Sequence, residues 1–347
     1  MTGVMASFDR HSPFKRAMHC RLFVIALGLA TFQCCGIHRA GAADGPADYP
    51  NRTVRIVVPF PAGGTADTLP RIIAQKLRER WNQSVVVENK SGAGGNIGAA
   101  SVATAPPDGY TLLASPPGPL AINESLYKPD SLGFRPSDLE PVTVLGAVPN
   151  VLDVRPDFPA KSAKELIEYA KANPGKVSFA SQGNGSTSHL TGILFQKLTN
   201  VQMVHIPYRG TAPALQDIMG SNVDLFFDNL GSSLSLHQGE KLRILATGGK
   251  QRNPVLPDVP TLQEAGVSAF ESTTWFAIVA PPQTPSSITH YLNQQITEVL
   301  MLPEVREQFA KIAVEPVGGS IAETTKFLAD ERIKWRGVIT NANVTVE

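Results

Sequence analysis

Pro59-Phe60-Pro61-Ala62-Gly63-Gly64-Thr65-Ala66-Asp67 is the stretch on which the reading of this chain turns. Before it, Val54-Arg55-Ile56-Val57-Val58 is a short apolar run rich in β-branched residues, the pattern of a buried strand. After it, Leu69, Ile72, Ile73 and Leu77 recur at i, i+3, i+4 and i+8, the stripe of an amphipathic helix. Strand, Gly-Gly turn and helix start make a corner suited to an anion. Uncapped N–H groups with the helix dipole behind them favour a carboxylate or a phosphate. Glycine at 63 and 64 lets the backbone approach a ligand with no Cβ in the way.

Farther along, Val85-Val86-Val87 reads as a second strand, running into Gly92-Ala93-Gly94-Gly95-Asn96-Ile97-Gly98 and a small-residue helix over about 97–103. The turn Pro106-Pro107-Asp108-Gly109 precedes a third strand over 110–114, which ends at Ser115. Residues 116–140 are Pro-rich with a short helix near 123–127, and separate strand-like runs follow at 142–148 and 151–154. A second α/β pattern then begins. A helix over 162–172 and a strand over 177–180 lead to the loop Ser181-Gln182-Gly183-Asn184-Gly185-Ser186-Thr187-Ser188. The next helix carries Leu190, Ile193, Leu194 and Leu198, which repeats the stripe spacing of the first corner. Strands at 202–206, 223–227, 242–246 and 275–280 follow, with final helices at about 285–301, 303–312 and 320–336. Strands alternating with helices at this spacing predict a largely parallel α/β sheet. Ligands of such sheets sit at the carboxyl ends of strands. Those ends are residues 60–65, Ser115, residues 181–188, Tyr208-Arg209 and Asp228-Asn229. Two corners aimed at one crevice describe a clamshell.

A chain of 347 residues, 42% hydrophobic and 18% charged, is long enough for a substantial core and two lobes, and it lacks the basic surface of a nucleic-acid binder. Residues 1–43 differ in kind. Lys15, Arg16 and Arg21 precede the apolar run Leu22-Phe23-Val24-Ile25-Ala26-Leu27-Gly28-Leu29-Ala30, and the small residues Ala40-Gly41-Ala42-Ala43 follow. This is the anatomy of a cleaved secretory signal, too short to span a membrane. Five of the 31 basic and one of the 30 acidic residues lie in that segment, so the remainder carries 26 against 29, a net charge of −3. A weakly acidic protein that binds anions does so with local dipoles. All three cysteines (Cys20, Cys34, Cys35) also fall in the leader, which leaves no disulfide, thiolate metal site or cysteine nucleophile behind it.

Several sharper readings lose to plainer ones. Gly92, Gly94 and Gly98 are spaced G-x-G-x-x-x-G, which suits a turn and tight helix packing better than a dinucleotide fingerprint. No phosphate-loop motif occurs. Ser186, His189 and Asp228 invite a secreted-hydrolase reading, but neither a G-x-S-x-G elbow nor an H-E-x-x-H helix is present. Ser186 and Thr187 are better placed to cap a helix and hold a ligand oxygen. The seven histidines show no metal-ligand spacing. Asp67 suits the positive end of the first helix. Asp228 either meets a ligand ammonium or ties down a loop, and Arg209 either pairs with a ligand carboxylate or is solvated.

The chain resembles the Bug-type extracytoplasmic solute receptors, the substrate-binding proteins of tripartite tricarboxylate transporters. The resemblance runs from Tyr49 to the C-terminal helices. It rests on the opening stretch together with Val87-Glu88-Asn89-Lys90, residues 92–98, Pro107-Asp108-Gly109-Tyr110-Thr111-Leu112-Leu113 and Ala172-Asn173-Pro174-Gly175-Lys176. Residues 183–190, Pro207-Tyr208-Arg209-Gly210, residues 224–229 and Leu256-Pro257-Asp258-Val259-Pro260-Thr261 complete the series. It implies a type II periplasmic-binding-protein fold, two α/β lobes around a ligand cleft. Residues 44–148 with 275–347 would form lobe 1 and 149–274 lobe 2. It also implies a periplasmic, non-catalytic protein with no cofactor or metal. Such a protein captures a small carboxylate and delivers it to the membrane permease subunits of a tripartite transporter. An alternative partner is a sensor kinase. Carried onto this chain, the ligand contacts are Phe60, Pro61, Ala62, Gly63, Gly64, Thr65, Ser115, Ser181, Gly183, Asn184, Ser186, Thr187, Tyr208 and Asp228. Two departures stand out. Pro70 falls in the first turn of the expected helix, and Ser115-Pro116-Pro117-Gly118-Pro119 stiffens one wall of the pocket.

Overall fold

A computed structural model describes Pro46, residues 48–342 and Val344; the expected signal segment lies outside the described residues. Val54–Val58 forms β1, buried everywhere except at Arg55. It pairs in parallel with β2 (Val85–Asn89) on one side and β3 (Thr111–Ser115) on the other. The helix Thr65–Trp81 buries Leu69, Ile73, Ala74 and Leu77. Each large side chain so buried contributes about 1.5–3 kcal/mol, and together these outweigh the roughly 3 kcal/mol that a helix-interior proline costs. Pro70 is the sixth residue of that helix, a turn deeper than expected.

The remaining strands are β4 (Glu140–Val154), β5 (Val177–Ser181), β6 (Met203–Pro207), β7 (Leu225–Asn229), β8 (Arg243–Thr247), β9 (Thr273–Ala280) and β10 (Glu315–Gly318). The sheet order is β2-β1-β3-β9-β4-β7-β5-β6, with β8 and β10 also paired to β4. The expectation of a largely parallel sheet is corrected here. Parallel pairs occupy the two flanks, whereas β9 lies antiparallel to both β3 and β4, and β4 lies antiparallel to β7, β8 and β10. β4 carries the chain out of one half and β9 carries it back, so the two run in opposite directions side by side.

β4 also merges the two runs expected at 142–148 and 151–154. Its partners change between Pro149, opposite Thr273 of β9, and Asn150, opposite Asn229 of β7. Pro149 lacks an N–H and is tolerated where one ladder hands over to another. Asn150 is buried at this crossing, and its Oδ1 lies 3.0 Å from both Ser272 Oγ and Thr274 Oγ1. One apolar cluster joins β1, the helix Thr65–Trp81 and Phe276, another gathers Phe179, Phe195, Phe227 and Phe270, and a third surrounds Trp275 and Trp335. The helix Ile321–Ala342 is pinned through buried Glu331, whose Oε2 accepts from the indoles of Trp275 (2.7 Å) and Trp335 (2.9 Å). The helices Thr211–Met219 and Leu230–Gln238, unanticipated from the sequence, follow β6 and β7 and place two more helix starts at the carboxyl ends of strands.

Candidate functional site

The first corner is held by Asp67 more than by any cap. Its Oδ2 accepts the Gly63 N–H at 3.2 Å, and its Oδ1 accepts Arg71 Nε and Asn89 Nδ2 at 2.9 Å each. Asn89 Nδ2 also donates to the Phe60 carbonyl. Burial acts to raise the Asp67 carboxyl, but the donors from Arg71, Asn89 and Gly63 prevail and hold it below the ordinary carboxylate range. Gly63 adopts φ +97°, the left-handed region, and so lets the chain double back on Asp67. The Thr65 N–H is taken by Ser232 Oγ at 3.2 Å. The N–H groups of Gly64 and Ala66 have no hydrogen-bond partner among the described residues, whereas those of Asp67 and Thr68 bond to the Gly64 carbonyl.

The second corner is capped by its own side chains. Ser186 Oγ accepts the His189 N–H at 3.3 Å and lies 2.6 Å from the Gly183 carbonyl. Thr187 Oγ1 accepts from Thr274, and the Asn184 carbonyl accepts from Tyr127. Ser181 Oγ lies 2.6 Å from His205 Nε2, and Ser181 is fully buried. The rings of His189 and His205 stack 4.1 Å apart. Burial lowers His189 to about 4, and burial together with its neighbour lowers His205 to about 3, so both are neutral at pH 7.

Between the two corners lies a cavity of about 390 Å³. Phe60, Pro61, Gly95, Gln182, Tyr208 and Arg209 are among the residues that line it. Among the described residues Arg209 is its sole charged lining residue, with no carboxylate opposite. A narrow inner pocket of about 20 Å³ shares Phe60, Pro61 and Gln182 with the cavity and adds Gly64, Ala66, Pro116, Thr211, Asn229 and Phe276. The expected contacts are thus placed unevenly. Phe60, Pro61, Gly64, Gly183 and Tyr208 line one or both spaces, and Ala62 and Gly63 are exposed beside them. Thr65, Ser115, Ser181, Asn184, Ser186, Thr187 and Asp228 line neither; Ser115 is buried with its hydroxyl on the Pro116 carbonyl. The expected contacts omit Gln182, Thr211 and Asn229, although Gln182 and Asn229 fall at strand ends already marked as ligand positions. Thr211 opens a helix that the pattern did not reveal.

The inner pocket touches the starts of three helices. Gly64, Gly210 and Asn229 are the N-caps of Thr65–Trp81, Thr211–Met219 and Leu230–Gln238, and none makes a side-chain cap. Behind it lies a buried carboxyl pair. Ser233 Oγ stands 2.5 Å from Asp153 Oδ2 and 3.1 Å from Asp228 Oδ2. One hydroxyl proton cannot serve two acceptors, so the second contact requires a proton on one carboxyl. Burial pushes Asp228 up to about 7, and burial with the nearby Asp228 charge pushes Asp153 well above the ordinary range. Among the described residues no group of three or more His, Cys, Asp or Glu is placed to hold a metal ion, and no helix is long and apolar enough to cross a membrane.

Comparison with known proteins gives consistent matches. The family described as "Tripartite tricarboxylate transporter family receptor" matches residues 69–344. Protein BugT of Bordetella pertussis is 39% identical over 320 residues, spanning 92% of this chain and 96% of BugT. Among solved structures, Rpa4515 of R. palustris with adipate has a TM-score of 0.83 at 38% identity, covering 86% of this chain and 99% of that one. The periplasmic binding protein BugD gives 0.82 at 35% identity, over 86% of this chain and all of its own. MatC from Rhodopseudomonas palustris with bound malate gives 0.79 at 31% identity, over 84% and 100%.

Proposed function

Because the chain belongs to the tripartite tricarboxylate transporter receptor family, we propose that it captures a small carboxylate in the space between its two corners. It has the fold of that family, a type II periplasmic-binding-protein architecture. The observation that carries the reading is the convergence on the inner pocket of three helix starts whose N-cap residues make no side-chain cap, with the Gly64 and Ala66 N–H groups unpartnered among the described residues. Helix N-termini favour negative charge, each by roughly 0.3–1 kcal/mol, and more when partly buried. A carboxylate at the inner pocket leaves its body in the outer cavity, whose volume suits a small molecule. Rpa4515 and MatC, solved with adipate and malate, support that ligand class.

In this reading residues 44–148 with 275–347 form one lobe and 149–274 the other, and they close on the ligand about the strand crossing at Pro149 and Thr273. The protein acts in the periplasm after loss of residues 1–43 and passes its ligand to the permease subunits. The test is a thermal-shift panel of small carboxylates on purified protein. A ligand at 100 times its dissociation constant stabilises by about 2.7 kcal/mol. Turnover of a panel member without any such stabilisation would count against a receptor. Deleting the gene should abolish uptake of the ligand that stabilises the protein; loss of induction with uptake intact would point instead to a signalling partner.

A further inference from the structure

Gln182 is a polar side chain that lines both the inner pocket and the outer cavity, and its hydrogen bonds are asymmetric. Its Nε2 donates to Asp228 Oδ1 at 2.8 Å and to Thr211 Oγ1 at 3.0 Å, which uses both amide hydrogens. The carboxyl fixes which way the amide faces. Asp228 meets Ser233 through Oδ2, so Oδ1 is the oxygen that must receive a proton from elsewhere. A Gln182 oxygen turned toward it would set acceptor against acceptor. The amide oxygen Oε1 is therefore directed away from Asp228. It has no partner among the described residues and is not among the side-chain atoms sealed from solvent, so it opens onto the space that Gln182 lines.

The two sides of this site thus ask for opposite things. The helix starts offer donors to a carboxylate, while a fixed acceptor stands beside them. We propose that Gln182 is a specificity-determining residue whose Oε1 accepts a hydrogen bond from a hydroxyl or amino group next to the captured carboxylate. The preferred ligands are hydroxy- or amino-carboxylates, and the unsubstituted acids of equal length bind more weakly. This rests on the carboxylate-capture reading above. A site built to hydrogen-bond a substituent discriminates strongly against the analogue that lacks it, because a bound ligand displaces water from the acceptor and, without the substituent, leaves it unpaired.

The test is calorimetric titration of the purified full chain with matched series differing in one substituent, namely succinate, malate and aspartate, and propionate, lactate and alanine. The expected result is that the hydroxy or amino member of a series binds at least about tenfold tighter than its parent acid. Gln182→Met keeps the length and removes the acceptor, and it should bring the members of each series to parity. Equal binding across each series by the wild-type protein overturns the proposal without recourse to any variant. So does a preference that survives in a folded Gln182→Met. If no acid of either kind nor any other carboxylate binds, the capture reading itself fails, an outcome distinct from binding without preference.

Discussion

Asp228→Asn should make the protein more stable than the wild type by a margin that widens with pH. Asparagine keeps the shape, its oxygen can still accept from Gln182, and its amide can donate to Ser233, whose proton is then free for Asp153. What disappears is a carboxyl that burial raises from 3.8 to about 7. A group whose folded pKa lies above its unfolded one contributes stability that is fully present below pH 3.8 and lost as pH rises toward 7. Every tenfold difference in proton affinity between the folded and unfolded chain is worth about 1.4 kcal/mol, so the wild-type protein forfeits about 4 kcal/mol across that window and the variant does not. His189 and His205, lowered to about 4 and about 3, run the other way and destabilise the fold as pH falls below 6.5, but they are common to both proteins and cancel in the difference. Urea unfolding of both proteins, followed by the fluorescence of Trp81, Trp275 and Trp335 from pH 4 to 8, measures that difference. It should grow with pH up to about 7, and because the Asp228 charge also raises Asp153, its removal adds to the difference in the same direction. A difference that stays flat over the window would refute the argument, since Asp228 would then not hold a raised pKa in the fold.

Three further outcomes follow from the geometry. Gly63→Val forces a β-branched residue to φ +97°, and Gly64→Ala sets a Cβ 2.9 Å from Thr211 Oγ1; each should weaken carboxylate binding by at least about tenfold in calorimetry, while circular dichroism shows the fold intact. Glu331→Ala leaves the buried indole N–H groups of Trp275 and Trp335 unpaired, a loss of about 1–3 kcal/mol for each in denaturant unfolding, whereas Glu331→Gln retains an acceptor and should lose less. Gly192→Ala drives a Cβ into the buried Phe179 ring and should lower stability by about 1–3 kcal/mol through overpacking, with ligand affinity unchanged.

How much of this was legible in the chain depends on how local each feature is. β1, the Gly-Gly corner and the helix after it lie in one continuous segment, and their period and punctuation are visible at once. The β3–β9 and β9–β4 pairings join segments more than a hundred residues apart, and alternation of strands with helices carries no trace of them. Thr211–Met219 was hidden by Pro213 in its first turn, and Leu230–Gln238 by its glycine and serines, which are weak helix formers held here by packing. The same division runs through the site. The strand, Gly-Gly turn and helix start of the first corner could be read from nine residues and their flanks. The capping of Thr65 by Ser232, 167 positions away, and the fixing of Gln182 by Asp228 could not. Ser186 and Thr187 show the converse: the hydroxyl-rich loop and the capping by Ser186 were visible, while the bond between Thr187 and Thr274 was not.

The central claim is that the helix starts around Gly64 and Ala66 seat a carboxylate. Titration of the purified protein with small carboxylic acids, each matched against its primary amide, tests it most directly. The account predicts one saturable site for at least one acid and no measurable binding of the corresponding amide, because the site recognises negative charge. Equal binding of acid and amide, or no binding by any acid of the panel, would contradict it.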